Sequence, residues 1–169
     1  MTVAQEQGLD RIVGALYFVA FLLVVTPLMD LVANVYPLSP GDFRWRYGAG
    51  GLLSGFLMTP LLGATLGIAA AAVREHRLAL RVQGILAVVA AVLLLVVAAL
   101  FALDALQLRR EAAADIASQF DIAILKAELK HGSVIIALLW LGVAAIRSSG
   151  RLGSRREGRG ADPSMVVRI

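Results

Sequence analysis

The stretch Gly51–Ala71, GLLSGFLMTPLLGATLGIAAA, decides the fold class. It carries no charge, and every fourth position is small: Gly51, Gly55, Thr59, Gly63, Gly67 and Ala71. In lipid such a ladder lets a second helix approach closely, because no side chain holds the two backbones apart. Lipid alone would be satisfied by Leu and Val. An i+4 step turns about 400°, so the ladder drifts by about 40° per rung and one straight neighbour cannot follow all of it. Pro60 interrupts the middle. The expectation is two short contact faces on a kinked helix: Gly51 and Gly55 toward one neighbour, Gly63, Gly67 and Ala71 toward another.

The rest of the chain supports the same class. Its 169 residues are 59% hydrophobic and 17% charged, with mean hydropathy +0.81. A soluble domain of this length carries more charge. The absence of Cys excludes disulfides, thiolate metal sites and thiol catalysis. The net charge of +4 resides in the tail from Arg147 to Ile169, where six Arg face Glu157 and Asp162. The high pI therefore describes that tail and gives no nucleic-acid-binding surface. Abundant Ala, and Arg in large excess over Lys, suggest a bacterial source.

Working outward, Gly48–Val73 is an uncharged run long enough to cross a bilayer with tilt. Before it, Ile12–Met29 is an uncharged run that extends through Asp30 to about Ala33, read as a retained first helix. Pro37 and Pro40-Gly41 set a loop between the two. Tyr36, Phe43, Trp45 and Tyr47 cluster there as an aromatic belt. Alternation of Phe43 and Trp45 with Arg44 and Arg46 predicts an extended interfacial segment. After the basic hairpin REHRLALR, Val82–Leu103 forms a third span. Its Gly84, Ala87, Ala91, Ala98 and Ala105 fit a three-four seam for a left-handed helix pair. Ser118-x-x-Asp121 resembles a capping box. From there Ile122, Leu125, Leu129 and Ser133 share the apolar face of an amphipathic helix that runs into a fourth span, with Lys126 and Lys130 snorkelling outward.

The predicted architecture is an all-α integral membrane four-helix bundle. One transmembrane domain covers residues 1–147, with spans at about 11–34, 47–74, 81–107 and 120–147. A basic, disordered cytoplasmic tail covers residues 148–169. With both termini inside, ten basic residues lie on the cytoplasmic side and six outside, as the positive-inside rule requires. The expected location is the inner (plasma) membrane, multi-pass.

Candidate sites follow from the few residues that lipid does not explain. Thr26-Pro27-Leu28 and Thr59-Pro60-Leu61 place two prolines at similar depths, candidate hinges at Pro27 and Pro60, with each Thr available to bond a freed carbonyl. Asp30 and Asp104 are the acids nearest hydrocarbon. With Arg44 and Arg46 they form a possible polar cluster, either a salt-bridge lock or, through Asp30, a proton or cation relay. His76 and His131 fall at opposite faces and read as solvated or interfacial. The sequence offers no catalytic residues, no cofactor-binding residues and no metal ligands.

Two functional expectations result. The first is a non-enzymatic structural or accessory subunit that packs through its Gly/Ala-rich second helix, in a homo-oligomer or a larger membrane complex. The second is a small oligomeric proton-coupled transporter or channel-like carrier using Asp30, with hinges at Pro27 and Pro60. The partners in either case are the lipid bilayer and other membrane helices, with no nucleic acid.

Overall fold

The computed structural model describes the backbone of residues 3–111 and 117–160, and the side chains of residues 11–111 and 118–152. The described chain is all-helical: α1 (Val3–Val35), α2 (Phe43–Phe56), α3 (Met58–Val73), α4 (Arg77–Glu111) and α5 (Ala117–Gly160). Three segments are long and apolar enough to cross a membrane, Arg11–Val35, Arg77–Glu111 and Ser118–Leu152. The pair α2–α3, bent by 47°, makes a fourth if it crosses once.

The burial pattern suits a protein whose solvent is lipid. The buried residues are mainly small: Ala70, Ala71, Ala87, Ala91, Ala98, Ala105, Ala127 and Ala145. Phe18, Phe21, Leu62, Leu93, Ile136 and Trp140 point outward instead. In water so large an apolar surface marks a membrane or an interface. In lipid it costs nothing, and small residues inside let the helices approach.

The three-four seam of α4 faces α5. Leu80, Gly84, Ala87, Ala91, Leu94, Ala98, Phe101 and Ala105 are buried along α4. Ala127, His131, Val134, Ile135, Gly142, Ala145 and Ser149 are buried along α5. The two helices run antiparallel and approach closely at Gly84 and Gly142. A Cβ on Gly84 would stand 2.9 Å from the Gly142 carbonyl oxygen, and one on Gly142 would stand 2.8 Å from that of Gly84.

The bent pair runs the length of both neighbours. Against α4, contact passes from Arg44–Glu111 and Arg46–Asp104 through Gly50–Phe101 and Gly67–Gln83 to the buried cluster of Ala71, Leu80 and Ala145. Against α1, it passes from Trp45–Val35 through Gly63–Ala20 to Tyr17–His76. The molecule thus has an Asp104 end and a His76 end.

Several expectations change here. The segment from Phe43 is helical, not extended. Asp42 has extended backbone and its Oδ1 accepts from the Arg44 N–H at 2.9 Å, an N-cap that starts α2 at Phe43. The bend lies at Leu57, and Pro60 sits in the first turn of α3, where a missing N–H is tolerated. Pro27 is buried within a continuous α1. Among the described residues Thr65 and Ser54, rather than Thr26 and Thr59, return their hydroxyls to carbonyls, those of Leu61 and Gly51. The helix of α5 continues to Gly160, through residues whose composition reads as disordered. Buried Ser149, and Leu152 packed on the Ala71–Leu80–Ala145 cluster, carry it past Arg147. Residues 161–169 of the expected tail lie outside the described residues.

The α3–α4 connection yields one expected result. Its end is a Schellman turn: the His76 N–H bonds to the Ala71 carbonyl at 2.9 Å, and the Glu75 N–H to that of Ala72 at 3.1 Å. Glu75 occupies the left-handed position, with φ 53°. Glycine is preferred there because a Cβ is strained. Glu75→Gly is expected to stabilise the protein by about 0.5–1 kcal/mol, seen as a higher midpoint for thermal unfolding in detergent.

Candidate functional site

At the Asp104 end, the sequence PGDFRWRY turns a loop into a helix and delivers four side chains. Asp42 caps the helix. One turn later, Arg46 donates from Nε to Asp104 Oδ2 at 2.9 Å and from Nη2 to Oδ1 at 2.7 Å, a bidentate pair. Its Nη1 donates to the Pro40 carbonyl at 3.0 Å, tying the loop to α4. Asp104 is 2 % exposed, so its charge is met almost wholly by this one guanidinium. The Trp45 indole N–H donates to the Val35 carbonyl at 2.9 Å and closes the end of α1. Arg44–Glu111 and Arg109–Asp121 are exposed pairs at 3.0 and 2.7 Å, of small energetic weight.

Beneath the ion pair lies a chain of rings. Tyr47 stacks between Phe101 and Phe120, with centroids 5.0 and 5.4 Å away. Phe101 meets His131 edge-on at 5.7 Å. Phe101 fits because position 50 is glycine: a Cβ there would stand 2.8 Å from its ring. Beside these rings a cleft of about 450 Å³ opens between α2 and α5. Its α2 wall is Tyr47, Gly48, Gly51, Leu52 and Ser54; Phe101 floors it; its α5 wall is Ala123, Lys126, Ala127 and Lys130.

His131 corrects the reading of the histidines. It is 0 % exposed, and among the described residues neither ring nitrogen has a hydrogen-bond partner. It shares the α4-facing seam with Ala127 and Val134. The apolar stripe Ile122, Leu125, Leu129 lies exposed on the other side. The apolar face of this amphipathic helix turns outward, and its mixed face turns in. The 3-4 spacing of Ile124, Ala127, His131, Val134 and Leu138 was the signal available for this, complementary to the seam of α4.

The other candidate residues are placed as follows. Asp104 and Arg46 come together, while Arg44 pairs with Glu111. Asp30 stands apart on the exposed face of α1, between exposed Thr26 and Asn34, and the Asn34 amide donates to its carbonyl oxygen at 2.8 Å. Of the ladder, Gly63 abuts the Ala20 carbonyl of α1 and Gly67 the Gln83 side chain of α4; Ala71 is fully buried. Gly51 reaches only Phe101, at 3.9 Å, and Gly55 has open space around it. Gly142, which the composition of the fourth span did not mark, is the backbone partner of Gly84.

Compared with protein-family models, curated proteins and solved structures, the chain matches none.

Proposed function

We propose that this chain is a non-enzymatic structural or accessory subunit of an assembly in the bacterial inner membrane. In this reading it is a four-span bundle, α2 and α3 together forming the second span, with both termini in the cytoplasm. The end-to-end run of the bent pair along α1 and α4 supports a single crossing. Arg11, Arg74, Arg77, Arg81 and Arg147 at the His76 end support the orientation.

The observation that carries the reading is the Thr26–Asp30–Asn34 stripe. These residues recur at i+4 on the outside of α1, next to exposed Leu28, Met29 and Val32. Asn34 adjoins Val35 at the depth of the Trp45 belt, whereas Asp30 and Thr26 lie about 8 and 14 Å deeper, where polar groups on the lipid side of a spanning helix are costly and hold other helices together. The second span contributes the open backbone at Gly55, while Gly63, Gly67 and Ala71 serve the chain's own packing.

The proton-coupled carrier uses the same Asp30 and is the alternative. The assembly reading is favoured because Asp30 lies on the outer face, away from the cleft, and because α1 passes Pro27 unbroken. In mild detergent the protein is expected to purify in a complex larger than one chain, and Asp30→Lys to reduce recovery of that complex at least ten-fold. A strictly monomeric protein, with no partner whose recovery depends on Asp30, overturns the proposal. Proton flux in proteoliposomes is expected to be unchanged by Asp30→Asn; loss of flux establishes the carrier instead.

A further inference from the structure

The cleft between α2 and α5 holds the only two lysines of the sequence, Lys126 and Lys130. Every other basic side chain apart from the two histidines is Arg, and at this end of the molecule Arg44, Arg46 and Arg109 each hold a carboxylate. Neither lysine has a hydrogen bond or ion pair among the described residues. They stand one helical turn apart on one wall, so both ammonium groups can close on one anion. An ammonium on a flexible stem is a point charge with three donors, suited to a phosphate reached from several directions.

The remainder of the cleft is mainly apolar: its other polar side chains are Tyr47 and Ser54, and the Ser54 hydroxyl is spent on the Gly51 carbonyl. Gly48 and Gly51 remove the side chains that would occupy it, Leu52 borders it, and the Phe101 ring forms its floor. At about 450 Å³ it falls within the size range of small-ligand sites. Tyr47 and Trp45 mark its depth as that of an interfacial aromatic belt. Two cations with no partner among the described residues, beside a mainly apolar trough at headgroup depth, fit a molecule with an anionic head and an apolar chain.

We propose that this cleft binds an anionic phospholipid, with the phosphate on Lys126 and Lys130 and one acyl chain lying over Phe101 along the glycine face of α2. The charge complementarity of the lysine pair selects a lipid over a neutral amphiphile, and the glycine trough selects a chain over a bare anion. The site is independent of the Asp30 face, which lies on α1.

The test uses the full-length protein, purified in mild detergent and delipidated, with native mass spectrometry as the readout. The probes are phosphatidylglycerol, phosphatidylcholine with the same chains, and inorganic phosphate. One phosphatidylglycerol is expected to remain bound per chain, at least ten-fold better retained than phosphatidylcholine, with inorganic phosphate failing to displace it. Lys126→Gln with Lys130→Gln is expected to reduce retention at least ten-fold, and Gly51→Leu, which fills the trough, to do the same while leaving both lysines in place. Arg110→Gln, which removes an exposed cation at the same end, is expected to leave it unchanged. Circular dichroism on each variant confirms the fold; if Gly51→Leu does not fold, the lysine variants decide. Equal retention of the two lipids, insensitivity to the lysine variants, or equal sensitivity to Arg110→Gln overturns the proposal. So does displacement by inorganic phosphate, or a lysine-dependent dimer that binds no lipid, which would make a second copy the occupant.

Discussion

Arg46→Leu is expected to cost about 3 kcal/mol of stability, because it leaves the Asp104 carboxylate buried and unpaired. That is the low end of the range for breaking a buried ion pair. The low end applies because the Arg46 side chain is 31 % exposed and the Asp104 side chain 3 %, so water reaches one partner and not the other. The same asymmetry makes the reverse variant milder. In Asp104→Leu the guanidinium keeps the Pro40 carbonyl and can extend toward the headgroups, so the expected loss is about half as large. Combining the two should recover part of the loss, since an apolar pair leaves no orphaned charge. The check is a double-mutant cycle on reversible unfolding in mixed micelles. Equal effects of the two single variants would show that Asp104 reaches water without Arg46.

The second large effect is expected at the α4–α5 crossing. Gly84→Ala and Gly142→Ala should each destabilise by about 2 kcal/mol, the cost of overpacking a closed contact. At Gly84 the new methyl would meet the Gly142 carbonyl at 2.9 Å and Ile146 Cγ1 at 2.8 Å. At Gly142 it would meet the Gly84 carbonyl at 2.8 Å and Val88 Cγ2 at 2.7 Å. Backbone cannot rotate away as a side-chain tip can, so the helices must separate. One separation relieves both clashes, and the double variant is therefore expected to cost clearly less than the sum. Gly55→Ala is the internal comparison. Nothing lies near its Cβ, so the isolated chain should be unaffected. Thermal midpoints of the parent and the four variants in one detergent check the set. Additive losses at Gly84 and Gly142 would mean that the two glycines do not share one contact.

The small-residue ladder shows how far the sequence carries. That Gly63 and Gly67 serve close approach was legible from their type and spacing, since no other property of glycine suits a long uncharged helix. Which neighbour each rung meets was not legible. The 40° drift per rung announces more than one partner but cannot name α1 for Gly63 or α4 for Gly67. The location of the bend was also hidden. Pro60 announces an interruption, yet the chain bends at Leu57, because proline is accommodated within the first turn of the helix that follows.

The candidate site was legible in part. Arg46 and Asp104 were readable as charges near hydrocarbon that need partners. Their separation of 58 residues left several pairings open, including one with Asp30. The cap at Asp42 settled the matter: by making Phe43 to Tyr47 helical, it brought Arg46 to Asp104 and left Arg44 for Glu111.

By itself, the sequence determined that the chain is helical and suited to lipid, because an uncharged run of 20 or so residues must satisfy its own backbone hydrogen bonds. It also determined where small residues permit contact. The tertiary structure alone decided which side of each helix faces in. In water the apolar stripe of an amphipathic helix must turn inward. In lipid both faces of α5 are tolerated, so the packing of Gly84 on Gly142 sets its rotation. That rotation buries His131 beside Phe101 and turns Ile122, Leu125 and Leu129 outward. It also leaves Lys126 and Lys130 along the cleft, opposite Gly48 and Gly51, the second of which opens the stretch from which the fold class is read.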